Sequence, residues 1–166
     1  MWCQSNKMTT KVSVILFLCL IIWKENAVEA NKNLPGNLIT YGDSQYYIDD
    51  KFNHCWWEAW RHCKSLNMDL VSIETQAENN FLYQKLKERY GNGPEYSFWT
   101  AGAKEGNGWV WKNTNGFVNY FNWAPGQPDN AGLTRIEMRY NWAAGLRWYV
   151  RHEHFIGLHA VCEIGL

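Results

Sequence analysis

The sequence predicts a small α+β domain, and three observations carry that prediction. Two helical patterns come early, between residues 54 and 91. Short apolar strands separated by Gly, Asn and Trp come later. A stretch of 12 apolar residues precedes both and reads as an address rather than as structure. Helices collected early and strands collected late make an α+β fold, whereas an α/β fold would alternate them.

Lys7 and Lys11 precede the apolar run Val12–Trp23, which Lys24 and Glu25 close, and Val28-Glu29-Ala30 offers small residues for cleavage. A spanning helix needs about 20 apolar residues. A basic, then apolar, then small-residue order reads as a secretory signal peptide over residues 1–30. The competing reading is an uncleaved anchor. Without residues 1–30 the chain has 136 residues and a formal charge of −1. That length supports one domain with its own core. Near-neutral charge with no Lys/Arg run argues against nucleic acid, which needs clustered cations. No second apolar span follows, so the expectation is an exported, extracellular protein without a membrane span.

Residues 31–44 hold Pro35, Gly36 and Gly42 and read as an N-terminal lead to a domain over 45–166. Gln45-Tyr46-Tyr47-Ile48 has strand character. From His54 to Asn67, Trp56, Ala59, Trp60 and Cys63 recur at 3–4 spacing, which makes a helix with one apolar stripe. Asp69-Leu70-Val71-Ser72-Ile73 reads as a short strand. Thr75 followed by Glu78 is a capping box that opens a second helix. Leu82, Leu86 and Tyr90 form its inner face and Gly91 ends it. Phe98-Trp99-Thr100, Gly108-Trp109-Val110-Trp111, Trp148-Tyr149-Val150 and Ala160-Val161-Cys162-Glu163 read as strands. Residues 113–141 offer many turns and little periodicity, and long irregular stretches of this kind tend to be functional.

Cys3 and Cys19 leave with the signal, and Cys55, Cys63 and Cys162 remain. Export means an oxidising compartment and a disulfide. Eight residues apart on one helix, Cys55 and Cys63 would be about 12 Å apart. That is too far for a bridge, which wants Cα atoms about 4.4–6.8 Å apart. One of them therefore joins Cys162, and the central place of Cys63 on the apolar stripe favours Cys63–Cys162. Cys55 is left either as a half-buried thiol or as a bridge to a second copy, giving a disulfide-linked dimer.

The order and spacing of several fragments resemble the C-type lectin-like domain, in particular the short secreted C-type lectins of insects. The carriers are Trp57-Glu58-Ala59 before Cys63, Leu70-Val71-Ser72-Ile73-Glu74, Phe98-Trp99-Thr100-Ala101-Gly102 and Trp111. They continue through Asn122-Trp123, Gly126-Gln127-Pro128-Asp129-Asn130 and Val161-Cys162-Glu163. The resemblance spans about residues 45–165. It implies two helices, two small antiparallel sheets, a long irregular binding loop and the Cys63–Cys162 bridge. It also implies carbohydrate or glycoprotein ligands. Gln127-Pro128-Asp129 resembles the galactose-type tripeptide, in which Gln127 and Asp129 would share a Ca²⁺ ion with two sugar hydroxyls. Pro128 resembles a proline that is usually cis. The implied carbohydrate-binding residues are Gln127, Asp129 and Asn130.

The same resemblance marks what this chain lacks. Relatives carry a Glu a few residues beyond the tripeptide, where this chain has Ala131-Gly132-Leu133-Thr134-Arg135; Glu137 instead matches a Glu beyond a half-cystine. Relatives carry Trp-Asn-Asp where this chain has Trp148-Tyr149-Val150. Gln127 and Asp129 are then weak calcium candidates, short of the 6–8 oxygens the ion takes, with affinity no better than about mM. A second disulfide, expected with halves near Arg135 and near Glu153 or His154, is missing too, which implies a more mobile loop. The tripeptide also has a reading as a simple Pro turn, and one as a calcium-free contact.

No other chemistry competes. His152-Glu153-His154 with His159 invites a metal, but Ile156 stands where a His-Glu-x-x-His motif needs its second His, and exposed histidines suffice. No carboxylate pair suited to glycoside cleavage, no nucleophile elbow and no phosphate loop is present. The sequence therefore reads as a binding module and not an enzyme. Trp56, Trp60, Trp99, Trp111 and Trp123 sit in core-like stretches. Trp142, in the polar Arg139-Tyr140-Asn141-Trp142 stretch, reads as a ring for stacking on a sugar or anchoring a protein partner.

Overall fold

The computed structural model describes residues 34–129 and 132–165; the signal peptide read over 1–30 and the ligand candidate Asn130 lie outside the described residues. β1 (Ile39–Tyr41) turns at Gly42, where φ is +56°, and pairs antiparallel with β2 (Ser44–His54). β2 runs antiparallel to β9 (Leu158–Gly165), with Tyr47 opposite Cys162.

α1 (Trp56–Ser65) buries Trp56, Ala59 and Cys63, the stripe that the 3–4 spacing marks. The chain then forms β3 (Asp69–Leu70) on β9. The backbone stays extended beyond it: the Val71 N–H donates to Val161 O at 3.0 Å, and Val71 O accepts from Ala101 N at 2.8 Å. The Cys63–Cys162 disulfide closes across this junction, with Cα atoms 5.4 Å apart. It ties α1 to the last strand.

α2 (Gln76–Tyr90) starts where Thr75 Oγ1 accepts from the Glu78 N–H at 3.1 Å. The Glu78 carboxylate does not return to the cap. It accepts from the Glu74 N–H at 2.8 Å and from the Tyr46 hydroxyl at 2.7 Å. Leu82 and Leu86 face the core, and Gly91 ends the helix at φ +55°.

β4 (Tyr96–Glu105) is the centre of the sheet. It pairs antiparallel with β5 (Gly108–Trp111) and with β7 (Arg135–Asn141), and β6 (Gly116–Phe117) extends β5. β8 (Gly145–Arg151) completes a hairpin with β7. β4 also pairs in parallel with β9, Phe98 opposite His159 and Trp99 opposite Ala160. Two antiparallel groups are thus present, but this seam fuses them into one mixed sheet in the order β1-β2-β9-β4-β5-β6. Phe98, Trp99 and Ala160 are fully buried, so the backbone there must find its partners within the protein. Gly102 is required where β7 crosses β4, since a Cβ there would meet Ile136 Cδ1 at 2.5 Å.

The structure corrects the reading of residues 113–141 as irregular throughout, because β7 takes their last seven. Ile136, Met138 and Tyr140 alternate inward in it, a period-2 signal that Arg135, Glu137 and Arg139 mask with charge. The core holds Trp56, Trp99, Trp111 and Trp148, while Trp60 and Trp123 pack on it half-buried. No helix among the described residues is long and apolar enough to cross a membrane.

Candidate functional site

The binding loop is built against the outer edge of β8. Trp148 N donates to Asn122 O and Ala124 N to Trp148 O, each at 2.9 Å, so residues 122–124 run beside β8 like a short extra strand. The Trp123 ring anchors that contact, 5.3 Å from Trp109, 5.8 Å from Phe121 and 6.0 Å edge-on to Trp148. Ala124-Pro125-Gly126-Gln127 then turns: Gln127 N donates to Ala124 O at 3.0 Å and Gly126 sits at φ +80°. Pro at the second position and a positive-φ Gly at the third are what a type II turn requires. The peptide bond from Gln127 to Pro128 is cis.

This geometry brings Gln127 and Asp129 together. The Gln127 amide nitrogen lies 3.4 Å from Asp129 Oδ2, and Gln127 Oε1 accepts from the Val150 N–H at 2.9 Å. Trp142 is placed elsewhere. It lies in the turn between β7 and β8, 50% exposed, with its carbonyl accepting from the Tyr83 hydroxyl at 2.9 Å. Five residues of β8 separate that turn from Val150, or roughly 16 Å at strand rise.

These residues do not make a full calcium cage. The ion takes about 6–8 oxygens. The loop supplies Gln127 and Asp129, and both already take part in hydrogen bonds. On β8, Tyr149 lies under the Arg139 guanidinium at 3.9 Å, and Val150 faces the core at 4% exposure. Glu137 is 0% exposed and engaged: it accepts from Arg139 Nε at 3.0 Å and from Arg151 Nε at 2.6 Å. Among the described residues no group of three or more His, Cys, Asp or Glu is arranged to hold a metal ion. His152 and His154 are exposed, their rings 5.2 Å apart.

Arg135 and Glu153, at the positions where the resemblance leads one to expect a second disulfide, are tied by charge. Arg135 Nη2 pairs with Glu153 Oε2, their side chains 11% and 25% exposed. The Arg135 guanidinium also sits 4.4 Å over the Trp56 ring and 5.6 Å from that of Trp57. Burial lowers the Arg135 pKa, and the Glu153 carboxylate works against that shift. Glu153 O accepts from the Trp56 N–H at 3.0 Å, so this one residue holds the loop base and the start of α1 together. Sequence reading named these positions only as an absence. Cys55, at the N-cap of α1, is 1% exposed and already disulfide-bonded, which corrects the reading of it as the odd thiol left for a second copy.

Comparison with known proteins follows the geometry. The family model "Lectin C-type domain" matches residues 53–145. Lithostathine-2 of Mus musculus is 33% identical over 72% of this chain and 78% of its own length. A perlucin-like protein of Mytilus galloprovincialis is 27% identical over 76% of this chain and 80% of its own. Human lithostathine superposes with a TM-score of 0.68 at 20% identity, covering 80% of this chain and 99% of that one. The C-type lectin domain of murine dendritic cell inhibitory receptor 2, solved in complex with N-glycan, gives a TM-score of 0.68 at 18% identity, covering 80% and 98%. The chain belongs to the C-type lectin domain family, whose members are binding modules and not enzymes.

Proposed function

We propose that this chain is an extracellular carbohydrate-recognition module of galactose type, in which Gln127 and Asp129 meet the sugar and hold calcium only weakly. The observation that supports this most is their 3.4 Å approach at the loop tip, directly after the type II turn. An amide and a carboxylate side by side offer donors and acceptors to two neighbouring hydroxyls. With two side chains in place of a full ligand set, water must supply most of the coordination, which sets the affinity at about mM or weaker. Asn130 is proposed as a further sugar contact from its place in the sequence motif alone. A neighbour of the same fold, the C-type lectin domain of murine dendritic cell inhibitory receptor 2, was solved in complex with N-glycan, which supports a glycan as the ligand class. Residues 1–30 are proposed to direct secretion, and the buried Cys63–Cys162 disulfide fits an oxidising compartment.

A second reading is calcium-independent binding of a protein or glycoprotein. The hydrogen bond from Val150 N to Gln127 Oε1, which occupies a lone pair that an ion would use, favours it. So does the half-exposed ring of Trp142. Passage over immobilised galactose with calcium, followed by chelator, separates the two. Retention released by chelator supports the first reading. No retention, or retention indifferent to chelator, refutes it.

A further inference from the structure

We propose that the cleft between α2 and the start of β8 is a second saccharide site, which takes an acidic sugar without a metal. Gln76, Asn80 and Tyr83 of α2 line it on one side, Tyr120 and Asn122 of the loop on the other, and Arg147 of β8 stands at it. Its volume is about 210 Å³, below the roughly 300–1,000 Å³ of drug-sized ligand sites, so it fits a single ring.

The lining chemistry sets the ligand class. Four amides (Gln76, Asn79, Asn80 and Asn122) and two phenols line it side by side, which suits a ring of hydroxyls. One guanidinium is present and no carboxylate. Arg147 Nη1 donates to Asn122 Oδ1 at 2.7 Å and its Nε to Ala144 O at 3.2 Å, both neutral acceptors. Arg147 stands directly opposite Arg139 across the β7–β8 ladder. Like charges in that position repel. Arg139 is offset by Glu137 at 3.0 Å and Glu95 at 3.8 Å. Arg147 is in no ion pair among the described residues, so the cleft keeps net positive charge that an anionic group would neutralise. Burial raises the Tyr120 pKa and the Arg147 charge opposes that shift, which places the cation beside the phenol.

The floor is fixed before any ligand arrives. Asn79 Oδ1 accepts from Trp148 Nε1 at 3.1 Å, and Asn122 Nδ2 donates to Leu146 O at 2.6 Å. Donors held in place by the core lose little entropy on binding. The Trp142 carbonyl accepts from the Tyr83 hydroxyl of the cleft, and its half-exposed ring is available to a longer glycan. This site does not use Gln127 or Asp129.

The test uses the full secreted chain in chelator, so that calcium chemistry is silent. Three probes are immobilised: a heparin oligosaccharide, sialyllactose and lactose. The expected result is retention on an acidic glycan, release by salt, and none on lactose; the heparin and sialyllactose arms separate a sulfate from a carboxylate. Arg147→Gln should weaken retention at least tenfold, and Lys112→Gln, a distant charge control, should not. Gln76→Ala with Asn80→Ala, on the exposed face of α2, should weaken it several-fold and decides the matter if Arg147→Gln does not fold. Retention on neither acidic probe overturns the proposal. So does native-like binding by Arg147→Gln or by the α2 pair, or equal retention on lactose.

Discussion

Removing the charge of Glu153 tests whether an ion pair stands in for a covalent tie. In Glu153→Gln the Arg135 guanidinium, 11% exposed, loses the carboxylate that offsets its desolvation. Leaving a buried charge unpaired costs about 3–5 kcal/mol, and the 25% exposure of Glu153 puts the expected loss near the lower end, about 3 kcal/mol. For a domain of this size that lowers Tm by roughly 10 °C. Arg135→Met with Glu153→Gln should recover about 1–2 kcal/mol of the loss, because no charge remains unpaired and the thioether packs on Trp56. The assay is urea unfolding of the native chain, both single variants and the double, read as a mutant cycle. A single-variant loss below about 0.5 kcal/mol would mean an ordinary surface pair. So would a loss that vanishes in 1 M salt. Either result refutes the idea that these positions are tied.

The remaining predictions concern the frame. Cys63→Ala with Cys162→Ala opens a loop whose ends are 99 residues apart in sequence, and should cost about 4–5 kcal/mol in the chain-entropy model, measured by denaturant unfolding; a loss under about 1 kcal/mol would show that α1 docks without the bridge. Burial raises the Glu163 and Glu78 carboxyl pKa values, so the folded chain holds protons that the unfolded chain releases, and their contribution to stability falls as pH rises above about 4.5. Glu163→Gln should flatten that decline in Tm between pH 4.5 and 7; parallel curves for variant and native chain would refute it. Thr75→Ala removes the acceptor for Glu78 N and should cost about 1 kcal/mol by thermal unfolding.

Local patterns made much of the molecule legible. The stripe Trp56, Ala59, Cys63 marked α1, Thr75 and Gly91 marked the ends of α2, and Cys63 found Cys162 through helix geometry and resemblance alike. The loop tip was legible as well, because Pro125-Gly126 and Gln127-Pro128-Asp129 constrain their own backbone. β7 was hidden because the residues alternating with Ile136, Met138 and Tyr140 are charged, Glu137 buried between two arginines, and a charged strand reads as a loop until its partners are known.

The sequence alone determined the helices and which residues stand at the loop tip, since each follows from a pattern over a few neighbouring positions, and the place of Cys63 on the α1 stripe pointed to its bridge with Cys162. Only the tertiary structure decided that Gln127 spends its carbonyl on Val150, that Arg135 meets Glu153, that Glu137 is shared by two arginines, and that Arg147 faces a cleft without a carboxylate. All but the Glu137–Arg139 pair join residues brought together from different strands or loops. A charge's partner is set by which strands lie side by side, and one sequence carries no direct record of that distance.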